Sequence, residues 1–415
     1  MHAPYGRRKL ETPMTFPSGL RALNHRDFRV FWAGQLVSLV GTWMQSVSQA
    51  WLVLQLTDSP FRLGLIGTLQ FAPILAFSVV AGAVADRFPK RRLIFATQTV
   101  LCLQALTLAA LVWTGHVRYW HVGVFALVYG LANVLDMPAR QSFIVELVGK
   151  PDLVNAVALN SAAFNGARIV GPVVAGLLIA RFGVAPAFLL NGLSFLVVLA
   201  ALGRVRARGL PSPRRVATIG EEILEGVRYA IRTPRVAVIL ALVLVVSLTV
   251  FNFTIFVPLL ARRVLGLGAE GFGFLMAALG VGAVAGALAL ATIGGRQTPL
   301  RAIFVAGALA CGALLALATA AEFHTAVVLL VLTGFFAIVF IASCNTTLQL
   351  SAPDELRGRV MSLHTLMFGG AFPIGSFVAG ALAEAFGIRA SLVAGGATGL
   401  TGVALIFVWW RKRGR

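Results

Sequence analysis

Val236-Ala-Val-Ile-Leu-Ala-Leu-Val-Leu-Val-Val-Ser-Leu-Thr-Val-Phe-Asn-Phe-Thr-Ile-Phe-Val-Pro-Leu-Leu260 runs for 25 residues without a charge. A helix crosses the ~30 Å hydrocarbon core of a bilayer in about 20 apolar residues. The stretch is long enough to span, and it is too continuous to be an alternating strand of a membrane barrel. Working outward, five runs precede the middle of the chain with a sixth closing that half: Phe28–Leu56, Leu63–Ala85, Leu93–Thr114, Trp120–Pro138, Val157–Ile179 and Pro186–Leu202. Beyond the quoted stretch come Gly271–Ile293, Leu300–Ala321, Ala326–Leu348, Val360–Ala383 and Ala390–Trp410. Twelve spans of an all-α integral membrane protein are therefore expected. Of the 415 residues, 58% are hydrophobic and 12% charged, where a soluble domain carries about 25% charged residues. The 43 glycines suit close packing of membrane helices.

The net charge of +20 is not a nucleic-acid patch, because it is spread over short loops between apolar runs. Of the 35 Lys and Arg, 28 fall on the side that holds both chain ends, and six (Arg62, Arg118, Arg181, Arg262, Arg263 and Arg389) on the other. The positive-inside rule then places both termini in the cytoplasm. Arg168 completes the count from within a span. The excess of Arg over Lys, with abundant Ala and Gly, suggests a GC-rich bacterial genome and hence an inner (plasma) membrane. Residues 1–27 read as a polar, basic cytoplasmic tail retained before the first span, and 411–415 as a second tail. Cys102, Cys311 and Cys344 each sit in an apolar run, which reads as packing rather than disulfide or metal chemistry.

Residues 203–235 divide the chain into six plus six spans, 28–202 and 236–410. Within this linker Ile219, Ile223, Val227 and Ile231 recur every fourth residue opposite Glu221, Glu222, Glu225 and Arg228. Thr218 and Glu221 match a capping box, and Thr233-Pro234 ends the segment. An amphipathic helix on the cytoplasmic membrane surface is expected, acting as a linker. The halves echo each other weakly. A shift of 209 lays Gly82–Arg92 on Ala291–Arg301, Asp136 on Asn345, Arg140 on Gln349 and Glu146-Leu147 on Glu355-Leu356. A shift of 204 lays Val174-Ala-Gly176 on Val378-Ala-Gly380 and Phe182-Gly183 on Phe386-Gly387. Such a repeat, related by an axis along the membrane normal, is how major facilitator transporters are built.

Three loop motifs sharpen that likeness. Gly82-x3-Asp86-Arg87-x2-Lys90-Arg91-Arg92 follows span 2, Pro353-Asp-Glu355-Leu-Arg357-Gly-Arg359 precedes span 11, and Asp136-Met-Pro138-Ala-Arg140-Gln141 ends span 4. With Asn24-His-Arg-Asp27-Phe28-Arg29 opening span 1, and Leu159–Pro172 in span 5, the chain resembles the enterobactin-exporter-like branch of the major facilitator superfamily. The members of this branch are also called transmembrane secretion effectors. The likeness extends from about Leu20 to Trp410. It implies two pseudo-symmetric six-helix bundles and proton-driven export of a siderophore, drug or metabolite. It also implies a gating set: Gly82, Asp86, Arg87, Arg92, Glu146, Gly171, Pro172, Glu355, Arg357 and Arg359. Physically, Gly82 would let helices approach, and Asp86 could accept hydrogen bonds from the start of span 11. Lys90 and Arg91 read as ordinary positive-inside charges. Two departures stand out: Gly41 is followed by Thr42 where many relatives carry an acid, and Arg168 occupies a glycine position of the antiporter signature.

In that family spans 1, 4, 7 and 10 line the central cavity. Gln35, Ser38, Thr42, Gln45 and Gln49 form one polar stripe on span 1. Such a stripe faces either a wet cavity or hydrogen-bonding partners on other helices. Asn133, Asp136 and Arg140 on span 4, Asn165 and Arg168 on span 5, Asn252 on span 7, and Asn345 and Gln349 on span 10 complete the candidates. Asp136 and Arg140, four residues apart, could satisfy each other. Arg168, 12–14 residues into its span, is expected to bind an anionic substrate, to pair with a carboxylate such as Asp136, or to tie structurally to backbone carbonyls. Asp136 is the leading protonation candidate, with His364 a weaker one. The chain has no Gly-x4-Gly-Lys-Ser/Thr phosphate loop and no catalytic or metal-ligand cluster, so no cofactor, metal or enzyme activity is expected. The expected partners are the lipid bilayer, a small-molecule substrate and protons, with no nucleic acid and a single chain as the working unit. An uptake symporter or lipid flippase of the same fold, and more remotely a membrane enzyme, are the alternatives.

Overall fold

The structure, a computed structural model, describes residues 16–207, 209, 219–292 and 298–413, except the side chains of 18, 79, 83, 86, 219–224, 354, 355 and 413. The early tail, Thr218 and the side chains of Glu221, Asp86 and Glu355 thus lie outside the described residues. Every regular element among the described residues is helical. After a 3-10 turn, Ser18–Asn24, come α1 (Arg26–Thr57), α2 (Pro60–Arg87), α3 (Lys90–Trp113), α4 (Tyr119–Phe182) and α5 (Ala185–Arg204). Then α6 (Ile219–Arg232) precedes α7 (Pro234–Thr249), α8 (Phe253–Leu259), a π turn (Leu260–Val264) and α9 (Ala269–Thr292). The chain closes with α10 (Leu300–Leu317), α11 (Phe323–Ser351), α12 (Asp354–Gly369), α13 (Ala371–Phe386) and α14 (Ile388–Arg413).

Among the described residues, ten segments are long and apolar enough to cross a bilayer. Two corrections to that count give twelve crossings. At 64 residues α4 would be ~96 Å long if straight, about three bilayer cores. It breaks at Gly149 (φ 69, ψ 173), a left-handed backbone open to glycine, just before Pro151. Its first limb follows α2, with Gly123 against Ile66 and Leu69 and Gly130 against Gln70 and Pro73. Its second limb follows α1, with Asp152 at His25 and Gly171 against Val40 and Trp43. The limbs therefore run in opposite directions, as spans 4 and 5. The other addition is α1, 32 residues long, which carries the polar stripe.

Several expected boundaries are corrected. Residues 139–156 are helical up to the Gly149 break rather than a loop, because Arg140, Glu146 and Asp152 all find partners there. Span 7 is not continuous: α7 stops at Thr249 and restarts as α8 after Asn252. Span 11 is α12 plus α13, interrupted around Gly370, three residues before Pro373. The linker helix α6 is present, but it packs on protein. Gly226 lies against Arg359, Glu225 pairs with Arg359, and Tyr229 Oη donates to Ser351 O at 3.4 Å.

Twelve crossings put the start of α1 and the end of α14 on one face, here called the termini face. Two seams join the halves near the opposite face. Span 2 meets span 11 where a Cβ on Gly380 would stand 2.8 Å from Gly64 Cα. Span 5 meets span 8 (α9) where a Cβ on Gly273 would stand 3.0 Å from Gly176 Cα. The repeat shifts carry Gly64 onto Gly273 and Gly176 onto Gly380, so the pseudo-two-fold exchanges one seam for the other.

Candidate functional site: a cleft and its gate

Near the closed end the seams are reinforced by polar contacts. Asp58 ends α1 in the left-handed region (φ 45), which turns its carboxylate toward the other half. Arg262 and Arg263 of the π turn approach it at 3.3 and 3.7 Å. Beside it, Glu384 of α13 accepts from Ser59 Oγ at 2.8 Å and from the Phe61 N–H at 3.1 Å, capping the start of α2 across the seam. Asp58, Arg262, Arg263 and Glu384 are not among the expected gating residues, most of which lie in loop motifs on the termini face. The available signal was the adjacent pair Arg262-Arg263 on a side with few basic residues.

Toward the termini face no comparable glycine seam is found among the described residues. A Cβ on Gly82, Gly166 or Gly358 would meet open space. The close approach expected at Gly82 is therefore not made in this state. Val154, Val157 and Phe164 of span 5 are exposed, as are Arg87 and Arg92. Arg357 Nε donates to Gln349 O at 3.0 Å, and Arg359 turns to Glu225 of the linker helix α6. Lys90, expected to be a solvated charge, is instead buried and pairs with Glu146 at 3.0 Å. Gly171 packs on α1, and the Pro172 carbonyl lies against Gly273 in the seam.

The cleft narrows to an apex where span 5 reaches span 8. Gly280 lies against Ile169 and the Arg168 carbonyl. The Arg168 guanidinium stands 5.7 Å from the Trp43 ring, and Trp43 meets Phe164 edge-on at 5.6 Å. Arg168 has no hydrogen bond or ion pair among the described residues. Its expected carboxylate partner is already taken. Asp136 Oδ2 accepts from Arg140 Nε and Nη2 at 2.9 and 2.7 Å. Asp136 Oδ1 accepts from Thr97 Oγ1 at 2.7 Å and Gln98 Nε2 at 3.1 Å. The Asp136–Arg140 pair is thus present, buried against α3, and Arg168 stands apart from it.

The span 1 stripe meets partners on other helices. Gln45 Nε2 donates to Gln104 Oε1 at 3.0 Å, and Asn191 Nδ2 donates to Gln45 Oε1 at 2.6 Å. Gln45 therefore faces α3 and α5 inside the N-terminal half, not the cleft. Gln49 Nε2 donates to Gln70 Oε1 at 2.9 Å. Gln35 and Ser38 are buried and Thr42 is partly buried. Asn252 is buried between α7 and α13, donating to Leu248 O at 2.8 Å and accepting from Ser376 Oγ at 3.3 Å. Asn133 and Asn165 donate to the carbonyls of Tyr129 and Ser161, at 2.9 and 2.8 Å. Gln349 donates to Asn345 at 2.7 Å on α11. Of the residues expected in the cavity, Arg168 and Asn165 share span 5 with the exposed cleft wall, whereas Gln45, Asp136 and Asn252 serve packing between helices.

A model of the transmembrane secretion effector family matches residues 17–413. The chain is 24% identical over 379 residues to the staphyloferrin A transporter of Staphylococcus aureus, covering 87% of this chain and 90% of that protein. It is 27% identical over 370 residues to the multidrug efflux pump Tap of Mycolicibacterium fortuitum, covering 86% and 90%. It is also 27% identical over 389 residues to the enterobactin exporter EntS of Escherichia coli, covering 88% and 89%. In fold it is similar to a bacterial homolog of the human lysosomal transporter Spinster, solved inward-facing and unoccupied. That likeness has a TM-score of 0.75 at 15% identity and covers 93% and 96% of the two chains. The nucleoside transporter NupG also gives a TM-score of 0.75, at 10% identity over 92% and 98%.

Proposed function

Because the chain belongs to the transmembrane secretion effector family of major facilitator transporters, we propose that it exports a small molecule from a bacterial cytoplasm by alternating access driven by the proton gradient. One observation carries this reading: the halves are locked together at one end and part at the other, with a half-buried cation at the apex between them. Such a cleft serves transport when the halves rock to close one end and open the other. The units that rock are 28–202 and 236–410, joined by 203–235. A single chain supplies both walls, so a monomer suffices. The termini face is cytoplasmic, from the 28-to-6 distribution of basic residues. The cleft then opens inward, as loading of an exporter requires.

The chain has no nucleotide-binding loop, which leaves an ion gradient as the energy source. Asp136 is held by four donors. His364, buried with Nε2 unpartnered and stacked on Phe368, is the group to test first. Transport into inverted vesicles, with and without a proton gradient, across a panel of siderophores and drugs tests the proposal. Accumulation that rises with the gradient is expected. Flux indifferent to the gradient would remove proton coupling, and accumulation only in right-side-out vesicles would make the protein an importer.

A further inference from the structure

We infer that Arg168 is an oxyanion-binding residue, and that the cleft takes an anionic molecule with an apolar, ring-bearing body in preference to a cation. The inference rests on the transporter reading above and assigns the class of its substrate. A guanidinium carries five N–H donors in a planar fork, and holding it at membrane depth without partners is costly. Within the chain, the ring of Trp43 at 5.7 Å is its one contact of this kind among the described residues. The acid buried in the neighbouring span is neutralised by Arg140, so the charge of Arg168 is left uncompensated. An oxyanion entering the apex would find a bidentate donor with no competing carboxylate. A cation would find only repulsion.

The other corner of the apex is apolar, and the repeat shows how this arises. The shift of 209 carries Phe71 onto Gly280, and the shift of 204 carries Arg168 onto Phe372. Where one seam sets Gly280 over the Arg168 backbone, the other stacks Phe71 on Phe372 at 4.9 Å. Equivalent positions in the two halves thus hold a charge at one corner and paired rings at the other. A molecule bridging them needs an anionic group at one end and a flat or greasy group at the other.

Three fluorescent probes, titrated into protein in nanodiscs with empty nanodiscs subtracted, test this. They are anilinonaphthalene sulfonate, the neutral analogue N-phenylnaphthylamine, and the cation ethidium. Arg168→Gln is expected to weaken the sulfonate about tenfold or more while leaving the neutral probe unchanged, since one bidentate ionic contact is lost. Arg168→Lys, keeping charge but not the fork, should fall between. Equal sulfonate binding in wild type and Arg168→Gln, or wild-type binding of ethidium tighter than of the sulfonate, overturns the assignment. If Arg168→Gln loses the neutral probe as well, Arg168→Lys decides: retained preference for the sulfonate supports the site, and no preference rejects it. Flux assays keep the two claims apart. Vesicles that still pump cations independently of Arg168 would reject the anion site but not the exporter, whereas wild-type vesicles that pump nothing would reject the exporter alone.

Discussion

Asp136 and Gln45 show how a polar side chain inside a membrane span is used when it does not meet substrate. Asp136 accepts two bonds from Arg140 and one each from Thr97 and Gln98. Removing one partner of such a buried pair strands the other charge, at about 3–5 kcal/mol. Asp136→Ala should therefore lower stability by that amount, measured by denaturant titration of the purified protein in detergent. A loss below about 1 kcal/mol would mean that the pair is solvated. Gln45→Leu breaks one neutral network, and interhelical hydrogen bonds in bilayers average only about 0.6 kcal/mol. Its transport KM should stay at the wild-type value, and a large rise would return Gln45 to the cleft. The stripe on span 1 was legible in sequence, but what covers it was not. Gln104 and Asn191 lie 59 and 146 residues away, and helical spacing identifies a face without saying whether water or protein lies against it.

Among the elements, the seams between spans 2 and 11 and between spans 5 and 8 decide which end is closed. Each depends on paired glycines that bring backbones together. A leucine at Gly380 would drive its side chain into Gly64 Cα and the Pro60 carbonyl, which are backbone atoms that cannot step aside. Gly380→Leu should therefore disfavour closure at the latch end. Spin labels at Trp113 and Glu322 should move apart, while labels at Arg87 and Gly358 draw together. Unchanged distances would show that the seam is not the closing element. The ionic latch is weaker by comparison. Asp58 is 61% exposed, and ion pairs of that kind contribute about 0–1 kcal/mol. Asp58→Asn combined with Glu384→Gln should shift the populations only about tenfold, and less at high salt. At this scale the existence of each helix was legible from apolar runs. The breaks at Asn252 and Gly370 were not, because hydropathy runs smoothly through both. The Gly149 break was misplaced for the opposite reason: charges that looked like a loop are paired along helices.

For the molecule as a whole, twelve crossings and the repeat were legible because lipid leaves a chain few options: long apolar helices with charge at their ends. The conformational state was not legible. In the proposed cycle, inward-open and outward-open forms would share every helix and differ in which glycine faces and surface charges touch, a balance of a few kcal/mol that no residue pattern records. The contacts of Asp58, Arg262, Arg263 and Glu384 at the other end were not legible either, since the loop motifs lie on the termini face. Access to the apex from one face at a time is the property that defines a transporter of this kind. Cys102, Cys311 and Cys344 are all buried, so a background with the three replaced by serine is a practical starting point for Phe164→Cys. A membrane-impermeant maleimide should label that cysteine in inverted vesicles and not in right-side-out vesicles, with Gly380→Leu reversing the preference. Labelling equal from both sides, from neither, or unmoved by Gly380→Leu would contradict a cleft that opens to one face at a time.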